Sequence, residues 1–331
     1  MPAERSSPRR RPYRPSAPGR RWKVVRRCLG VAFLVLLGWL LVDHARDIDW
    51  MAVLQALRNY QASTLLTAAA LAAVSHTLFA SYDLIGRRIV GHALPRARVM
   101  GVGFVSYAFN LNFGSLVGAV ALRFKLYTRL GLKPAVVTQV LGLSVLTNWI
   151  GYAALAGALF ALQPLALPPE WKIGSEGLRV LGALLFTIVL GYQWACLKSR
   201  RRRWTLRGQV LTLPSWRIGL RQLLVSSLNW LSIAAIVWVL LRGQVDFSSV
   251  LSVALIAAVA GVISHVPAGL GVLEAVYLAL LSHRVGQDQL LAALLAYRAL
   301  YYLLPLALAL PGYWLVGRRR NQSRAPGMQT T

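Results

Sequence analysis

Long apolar stretches recur along most of this 331-residue chain, and several of them reach 18 residues or more. A helix that crosses the hydrocarbon core of a bilayer needs about 20 consecutive apolar residues. Because no water is available there to pair backbone groups, such stretches are expected to be helical. The sequence therefore predicts an all-α, polytopic membrane protein.

Basic residues are concentrated beside the apolar stretches. The formal net charge is +27, and Lys and Arg cluster at 1–27, 198–221 and 318–324. Clusters in these positions keep the flanking segments on the cytoplasmic side and attract anionic phospholipid head groups. We therefore expect membrane phospholipids, and not nucleic acid, to be the partners. Both termini are expected on the cytoplasmic side of the membrane.

The chain divides into two basic tails and a membrane domain. Residues 1–27 are rich in Pro, Ser and Arg and are expected to be a disordered cytoplasmic tail, and residues 317–331 form a second basic cytoplasmic tail. The apolar stretch at 28–42 is followed by no small-residue cleavage site, which favours an uncleaved anchor. The membrane domain covers residues 28–316. Its apolar segments lie at about 28–42, 62–85, 99–122, 135–162, 178–197, 222–241, 247–282 and 289–316.

Charge decides how these segments cross the membrane. If 99–122 were an ordinary span, one of the basic stretches 87–98 and 123–133 would face outward, against the usual cytoplasmic excess of Lys and Arg. The conflict disappears if 99–122 turns back at the turn-prone sequence Asn-Leu-Asn-Phe-Gly-Ser and leaves where it entered. The same reasoning makes 247–282 a second hairpin, entering from outside. The prediction is six full spans and two re-entrant or broken helical hairpins.

Glu274 and Arg298 are ionisable residues at membrane depth. A charged side chain there costs at least about 2.5 kcal/mol and is therefore usually paired or functional. Both lie roughly 12–14 Å from the outer end of their segments at 1.5 Å per residue, so they can form a pair. The pair could be a structural lock between the second hairpin and the last span, or a switchable gate that receives a lipid head group.

The tip of the second hairpin contains His265, Pro267, Gly269 and Gly271. Proline removes a backbone donor, and glycine permits positive φ and close approach. Free backbone N–H groups after Gly271 would form an anion site at a helix N-terminus. The alternative is a tight turn with no ligand, in which His265 is simply hydrogen-bonded.

Further candidates lie in the first hairpin and the middle spans. Asn110 and Asn112 are amides at depth, where an unsatisfied polar group is expensive, so they should cap the limbs or face a cavity. Arg123 either reaches the interface by snorkelling or binds a head group directly. Asn148 is either a candidate site residue or a polar side chain that stabilises the packing of one helix on another. Tyr297, which precedes Arg298, is a further candidate site residue. Tyr301 and Tyr302 are expected to lie in an aromatic belt at the outer leaflet.

Sequence motifs of soluble or metal-dependent enzymes are absent. The chain contains no P-loop, HExxH, GxSxG, CxxC or Cys/His cluster, and its longest internal loop is too short for a soluble catalytic domain. We therefore expect no enzyme, no cofactor and no metal site.

At these same residues the chain resembles a known family, the transmembrane region of lysylphosphatidylglycerol synthases. Within that family, the chain resembles the stand-alone, YbhN-like inner-membrane proteins, which implies a location in a bacterial inner membrane. The stretches that carry the resemblance are 110–114, 123–127, 264–274 and 296–298, with a Pro-x-Gly-x-Gly-x-x-Glu element followed by Tyr-Arg in the last span.

The resemblance implies a flippase-like domain and places Pro267, Gly269, Gly271, Glu274 and Arg298 at the motif positions of the family. The sequence departs from full-length relatives in lacking the aminoacyl-transferase domain and an acidic–basic pair in the middle span. The function expected is lipid translocation, with a phospholipid head group bound between the two hairpins. The alternative is a non-transporting membrane scaffold for a phospholipid-metabolism enzyme.

Overall fold

The computed structural model describes residues 57–163, 174–199, 203–206, 209–264 and 266–317, together with the single residues 51, 55 and 165. Most of these residues are helical, which confirms the all-α class. By length and composition, seven helices in this part of the chain are able to cross a membrane. The amino-terminal tail, the apolar stretch at 28–42 and residues 318–331 lie outside the described residues.

Ten α-helices follow one another along the described residues. The α-helices are α1 (Ala62–Val90), α2 (Arg96–Gly114), α3 (Arg123–Arg129), α4 (Pro134–Leu162), α5 (Ser175–Lys198), α6 (Trp216–Leu240), α7 (Phe247–Ser264), α8 (Val272–Leu281), α9 (Gln287–Tyr297) and α10 (Leu304–Gly317). The π-helical segments Ser115–Leu122 and Arg298–Leu303 join α2 to α3 and α9 to α10, and a 3₁₀ turn, Pro267–Gly269, separates α7 from α8. A short antiparallel pair that was not predicted, β1 (Arg203–Leu206) and β2 (Gln209–Thr212), lies within the basic cluster between α5 and α6.

Residues 96–129 form a helical hairpin, hairpin 1, although length and composition alone would allow one long span. The chain reverses at Gly114, whose φ of +82° and ψ of 170° lie outside the helical region. Beyond the turn, Gly118 packs so closely on the first limb that an added Cβ would overlap the backbone of Asn110. In a continuous helix these two residues would be about 12 Å apart, so the two limbs run side by side.

Both ends of hairpin 1 lie at the same face of the molecule. Near its start, a Cβ on Gly101 would contact Val316 at the end of α10. At its end, the Arg129 guanidinium donates a hydrogen bond of 3.0 Å to the Tyr313 hydroxyl, also near the end of α10. Hairpin 1 therefore enters and leaves on one side, as the charge pattern predicted.

Residues 247–281 form hairpin 2, in which α7 and α8 pack against each other. Across the mouth of this hairpin, the Arg284 guanidinium donates to the Asp246 carboxylate at 2.8 Å. Because Asp246 precedes α7 and Arg284 follows α8, both ends of hairpin 2 lie at one face. Partial burial would raise the pKa of the Asp246 carboxyl, but hydrogen bonds from Ser248 and Ser249 and the charge of Arg284 lower it to about 2.

The two hairpins open on opposite faces. The end of α6 lies beside the start of α1, since the Tyr60 hydroxyl donates to the Leu240 carbonyl at 3.0 Å. Hairpin 2 begins just after this point, whereas hairpin 1 follows the far end of α1, a helix of 29 residues that is about 43 Å long. Within the described residues there are thus five full spans, namely α1, α4, α5, α6 and residues 287–317, and both predicted hairpins. The first predicted span, 28–42, falls outside them.

Helix α1 lies at the centre of the packing and contacts α2, α4 and α6. Close approach to α2 depends on Gly103, where an added Cβ would lie 2.9 Å from the Ala80 backbone. Small residues at helix contacts are expected in lipid, where association relies on tight van der Waals packing. The buried side of α1 also carries the polar residues Ser75, His76 and Asp83, which brings polar chemistry into the interior.

Candidate functional site

Glu274 and Arg298 form a two-point ion pair. Arg298 donates from Nε to Glu274 Oε1 at 2.5 Å and from Nη2 to Oε2 at 2.9 Å. The same guanidinium donates to the carbonyl oxygens of Ala268 at 3.2 Å and Gly269 at 3.1 Å, at the tip of hairpin 2. The Arg298 side chain is 11% exposed and the Glu274 side chain 21%. One cation therefore ties the last span to both the acid and the turn of hairpin 2.

The local sequence explains why these side chains meet. Gly271, with φ of +75°, precedes α8, and Glu274 lies in the first turn of that helix, where the helix dipole favours a carboxylate. On the last span, Pro305 has no N–H to donate to the Tyr301 carbonyl, and the chain forms a π-helical segment immediately before it. Arg298 is the first residue of this segment, and such π turns are frequent at functional sites.

The tips of the two hairpins meet beside this pair. The 3₁₀ turn of hairpin 2 packs against α2, and Asn112 Nδ2, near the tip of hairpin 1, donates to the Tyr302 carbonyl at 3.2 Å. Asn112 is buried, and its Oδ1 has no hydrogen-bond partner among the described residues. The Arg298 guanidinium lies 5.4 Å from the centroid of the Tyr302 ring. Both tips and the last span thus form one junction, which is the candidate site.

The tyrosines that flank Arg298 face the interior. Tyr297 is buried and stacks on Tyr301 with ring centroids 5.2 Å apart, and it contacts Tyr302 edge-on at 5.6 Å. The prediction that Tyr301 lies in an aromatic belt is wrong, because it is 1% exposed. Tyr302 is half-buried and contacts Arg298, so the belt prediction is wrong for it as well. The reason is that this side of the last span packs against α1 and α2.

A second ion pair lies under hairpin 1, and the sequence analysis missed its acid. Arg123 Nε lies 3.5 Å from Asp83 Oδ2, and the Tyr127 hydroxyl donates to the same oxygen at 2.7 Å. Arg123 also donates to the Ser144 hydroxyl at 3.3 Å. Asp83 and Arg123 have side chains 0% and 2% exposed, so the interpretation of Arg123 as a snorkelling side chain is wrong. Asp83 Oδ1 has no hydrogen-bond partner in the described part of the chain.

A sequence signal for this second pair was present. Asp83 is the only acidic residue between Asp49 and Glu170, and it lies in an apolar segment. A charged side chain at membrane depth is usually paired or functional, and this expectation applies to Asp83 as much as to Glu274. Its partner was harder to find, because Arg123 is one of several basic residues near the end of hairpin 1 and looks like an interfacial anchor.

The remaining predicted residues lie apart from the junction or take structural positions. Asn110 is half-buried and its backbone lies against Gly118 inside hairpin 1. The Asn148 carbonyl accepts hydrogen bonds from the Ser226 hydroxyl at 2.9 Å and the Trp230 indole at 3.2 Å, which joins α4 to α6. Pro267 begins the 3₁₀ turn, and His265 lies outside the described residues.

The residues of the junction offer no obvious metal site. No group of three or more His, Cys, Asp and Glu side chains that could hold a metal ion occurs in the described ranges. The junction instead combines a paired guanidinium and carboxylate with the unpartnered Oδ1 of Asn112. Such groups can exchange partners with the phosphate and amine of a zwitterionic molecule.

Comparison with known proteins gives a consistent result. Residues 27–309 match the family described as the lysylphosphatidylglycerol synthase transmembrane region. The chain is 42% identical to the inner membrane protein YbhN of Escherichia coli K12 over 306 residues, which cover 92% of this chain and 96% of YbhN. It is 28% identical over 315 residues to an uncharacterized Synechocystis protein, with 93% and 97% of the two chains covered.

A third relative is much longer than this chain. The match to the phosphatidylglycerol lysyltransferase of Staphylococcus haemolyticus is 27% identical over 247 residues and covers 70% of this chain but 27% of that enzyme. The apolar helices and the inner-membrane relative together identify a multi-pass membrane protein.

Proposed function

Because this chain belongs to the family of the lysylphosphatidylglycerol synthase transmembrane region, we propose that it is a flippase-like protein that moves a phospholipid between leaflets. The head group would pass through the junction of the two hairpin tips. The single observation that carries this proposal is that two hairpins from opposite faces meet at the Glu274–Arg298 pair. Transporters place substrate sites in the same way, between broken helices near the midplane.

The Glu274–Arg298 pair would act as the gate. A guanidinium binds phosphate with the same two-point geometry that it uses for a carboxylate. An incoming head-group phosphate can therefore replace Glu274 as the partner of Arg298, and a head-group amine can then neutralise the released carboxylate. Because Arg298 also holds the carbonyls of Ala268 and Gly269, this exchange would loosen the tip of hairpin 2.

The Asp83–Arg123 pair would act as the matching gate at the other face. It lies between α1 and the return limb of hairpin 1, so any widening of that contact must separate the two charges. Separation without a replacement partner is expensive at membrane depth. Opening would therefore be favoured only when a head group supplies opposite charges to both residues.

The orientation that we propose puts the mouth of hairpin 1 and both termini in the cytoplasm of a bacterial inner membrane. Support comes from the basic residues on both sides of hairpin 1, in the stretches 87–98 and 123–133, and from the basic cluster at 198–221. The mouth of hairpin 2 would then face outward.

Leaflet exchange of fluorescent phospholipids in vesicles that contain the purified full-length protein tests the proposal. We expect faster exchange than in protein-free vesicles, and a clear loss of exchange in Glu274→Gln and Arg298→Ala. The matched control is Glu176→Gln, which removes an acid from the exposed pair with Arg179 on α5. Exchange that is the same in all four proteins would contradict the proposed site.

The alternative role, a scaffold for a phospholipid-metabolism enzyme, predicts a different result. In that case no exchange would be seen, and an enzyme would copurify with the wild type and with both gate variants. We propose no lipid chemistry for the chain itself, so the lipid species of cells that overproduce it should be unchanged by mass spectrometry. A new lipid species would contradict this part of the proposal.

A further inference from the structure

A buried polar cluster lies between the two ion pairs, where α1, α2, α6 and the last span come together. Its centre is a chain of hydrogen bonds between side chains. The distances are 2.7 Å from Tyr107 Oη to Tyr301 Oη, 2.9 Å from Tyr301 Oη to Ser75 Oγ, and 2.7 Å from Ser75 Oγ to Asn229 Oδ1. All four residues are at most 5% exposed.

The direction of this chain follows from the number of hydrogens. Asn229 Oδ1 can only accept, so Ser75 must use its one hydrogen there. Ser75 therefore accepts from Tyr301, and Tyr301 in turn accepts from Tyr107. Three hydroxyl groups thus point the same way, which is an arrangement in which each bond strengthens the next.

His76 lies beside this chain with one ring nitrogen unused. Its Nδ1 is 3.0 Å from the Ala72 carbonyl, which can only accept, so Nδ1 carries the hydrogen and Nε2 keeps a lone pair. His76 is 2% exposed, and Nε2 has no hydrogen-bond partner within the described residues. A buried acceptor without a donor is costly, which indicates that something absent from the chain itself supplies one.

The other unsatisfied atoms of the cluster narrow the choice of ligand. Asn229 Nδ2 is a donor, and the Tyr82 hydroxyl, which can donate or accept, interacts with the side chains of Asn229 and Ser226. Neither atom makes a hydrogen bond of regular distance and angle in the described ranges. Donors and acceptors are therefore mixed, which suits neither a simple anion nor a simple cation. Water meets both needs and commonly occupies such buried polar positions.

Burial disfavours a charge on His76, but three surrounding aromatic rings offset part of this cost. The rings of Tyr301, Tyr107 and Phe104 have centroids 4.9, 5.1 and 5.8 Å from the imidazole. Aromatic rings at this distance attract cations. The titratable groups that face His76 from neighbouring elements are Tyr107 on α2 and Tyr301 on the last span, while α6 contributes the uncharged Asn229.

The cluster lies between the two ion pairs along the chain as well. Asp83 follows His76 by seven residues on α1, about 10 Å along the helix axis. Tyr301 follows Arg298 by three residues, within one turn of the last span. Along the helix axes, the cluster with His76 therefore lies between the acid under hairpin 1 and the acid under hairpin 2.

We propose that this cluster holds internal water and carries protons across the middle of the protein, with His76 as the relay. A proton from a water on one side binds the Nε2 lone pair and gives imidazolium, and Nε2 then releases a proton to a water on the other side. Only N–H and O–H bonds form and break, and the ring returns to its neutral form. This activity goes beyond the proposed lipid movement and does not depend on it.

Proton entry into vesicles tests the proposal. The purified full-length protein is reconstituted in phosphatidylethanolamine and phosphatidylglycerol vesicles, and internal acidification is followed with a pH-sensitive dye under an imposed potassium diffusion potential. We expect wild-type vesicles to acidify faster than protein-free vesicles. His76→Gln should lower the protein-dependent rate about a hundredfold, the lower end of what a positioned proton-transfer group contributes.

A second variant and a control keep the result decisive. Tyr301→Phe preserves the packing but removes a hydroxyl that orders the polar cluster and its water beside His76. It should therefore also lower the rate, and it decides the matter if His76→Gln fails to fold. Ser232→Ala on the exposed side of α6 should leave the rate unchanged. Wild-type flux no higher than in protein-free vesicles, or flux equal in wild type and both cluster variants, would overturn the inference.

Lipid exchange measured on the same vesicles separates this inference from the proposed function. Proton flux that depends on His76 without lipid exchange would support the relay and contradict the lipid translocase. Lipid exchange without such proton flux would support the lipid translocase and contradict the relay.

Discussion

Replacement of Arg298 by Met removes the guanidinium and keeps an apolar side chain of similar length. The change leaves the Glu274 carboxylate and the carbonyls of Ala268 and Gly269 without the donor that they share. Loss of one partner of a buried ion pair costs about 3–5 kcal/mol. Because the Glu274 side chain is still 21% exposed and can recruit water, we expect the lower end of this range, about 3 kcal/mol of unfolding free energy.

Unfolding by sodium dodecyl sulfate in mixed micelles, followed by circular dichroism, measures this cost. The matched control is Arg179→Met, which breaks a pair whose side chains are 53% and 81% exposed. Exposed pairs of this kind contribute at most about 0.5 kcal/mol. An Arg298→Met protein that is no less stable than Arg179→Met would refute the reasoning.

The double variant tests whether the cost comes from an unpaired charge. Glu274→Gln combined with Arg298→Met leaves no charge behind, so the two costs should not add. We expect the double variant to be more stable than the sum of the single variants predicts, by about 0.5–3 kcal/mol. Strict additivity would show that the two side chains act independently and would contradict the pairing of Glu274 with Arg298.

Three further predictions concern the second pair and the hairpins. Asp83→Asn should destabilise the protein by about 3 kcal/mol in the same unfolding assay, because Arg123 would be left buried and unpaired, and Asp83→Asn with Arg123→Met should recover part of the loss. Gly118→Val should prevent hairpin 1 from closing and abolish a monodisperse peak in size-exclusion chromatography, because the added side chain overlaps the opposite limb; a normal peak would contradict the hairpin. The pKa of Asp246 is lowered to about 2, so its pairing with Arg284 should be fully present above the ordinary aspartate pKa and lost only as pH falls through about 2. After correction for the intrinsic rate, amide hydrogen exchange at the mouth of hairpin 2 should therefore be equally slow at pH 5 and at pH 7. Faster corrected exchange at pH 5 would contradict this.

Much of the fold could be predicted because two sequence features, the length of the apolar segments and the positions of Lys and Arg, constrain it together. Apolar length gave the spans, and the distribution of Lys and Arg forced 99–122 to turn back on itself. Composition alone could not reveal this, since residues 96–129 are apolar enough to count as one long helix. The glycine at 114, in a turn-prone sequence, supplied the place of reversal.

The candidate site was predictable only in part. Glu274 and Arg298 were found because charges at depth need partners. The central cluster was missed, because Ser75, Tyr107 and Asn229 each look like ordinary helix-packing residues when considered alone. Their significance comes from the crossing of α1, α2, α6 and the last span, and one sequence does not show which faces of these helices meet.

The two short strands were missed for a different reason. They lie in the basic cluster at 198–221, where charge dominated the interpretation and suggested only a loop beside lipid head groups. Each strand has four residues, so there was too little alternation to detect.

The most direct test of the central claim, that two hairpins enter from opposite faces, is the accessibility of single cysteines in intact and inverted membrane vesicles. Cys28 and Cys196 would first be replaced by Ser, and a membrane-impermeant maleimide would then be used on Arg96→Cys, Lys133→Cys and Ser282→Cys. We predict that positions 96 and 133 react only from the cytoplasmic side and position 282 only from the outside. Labelling of 96 and 133 from opposite sides would make residues 96–129 a single span and would contradict the account.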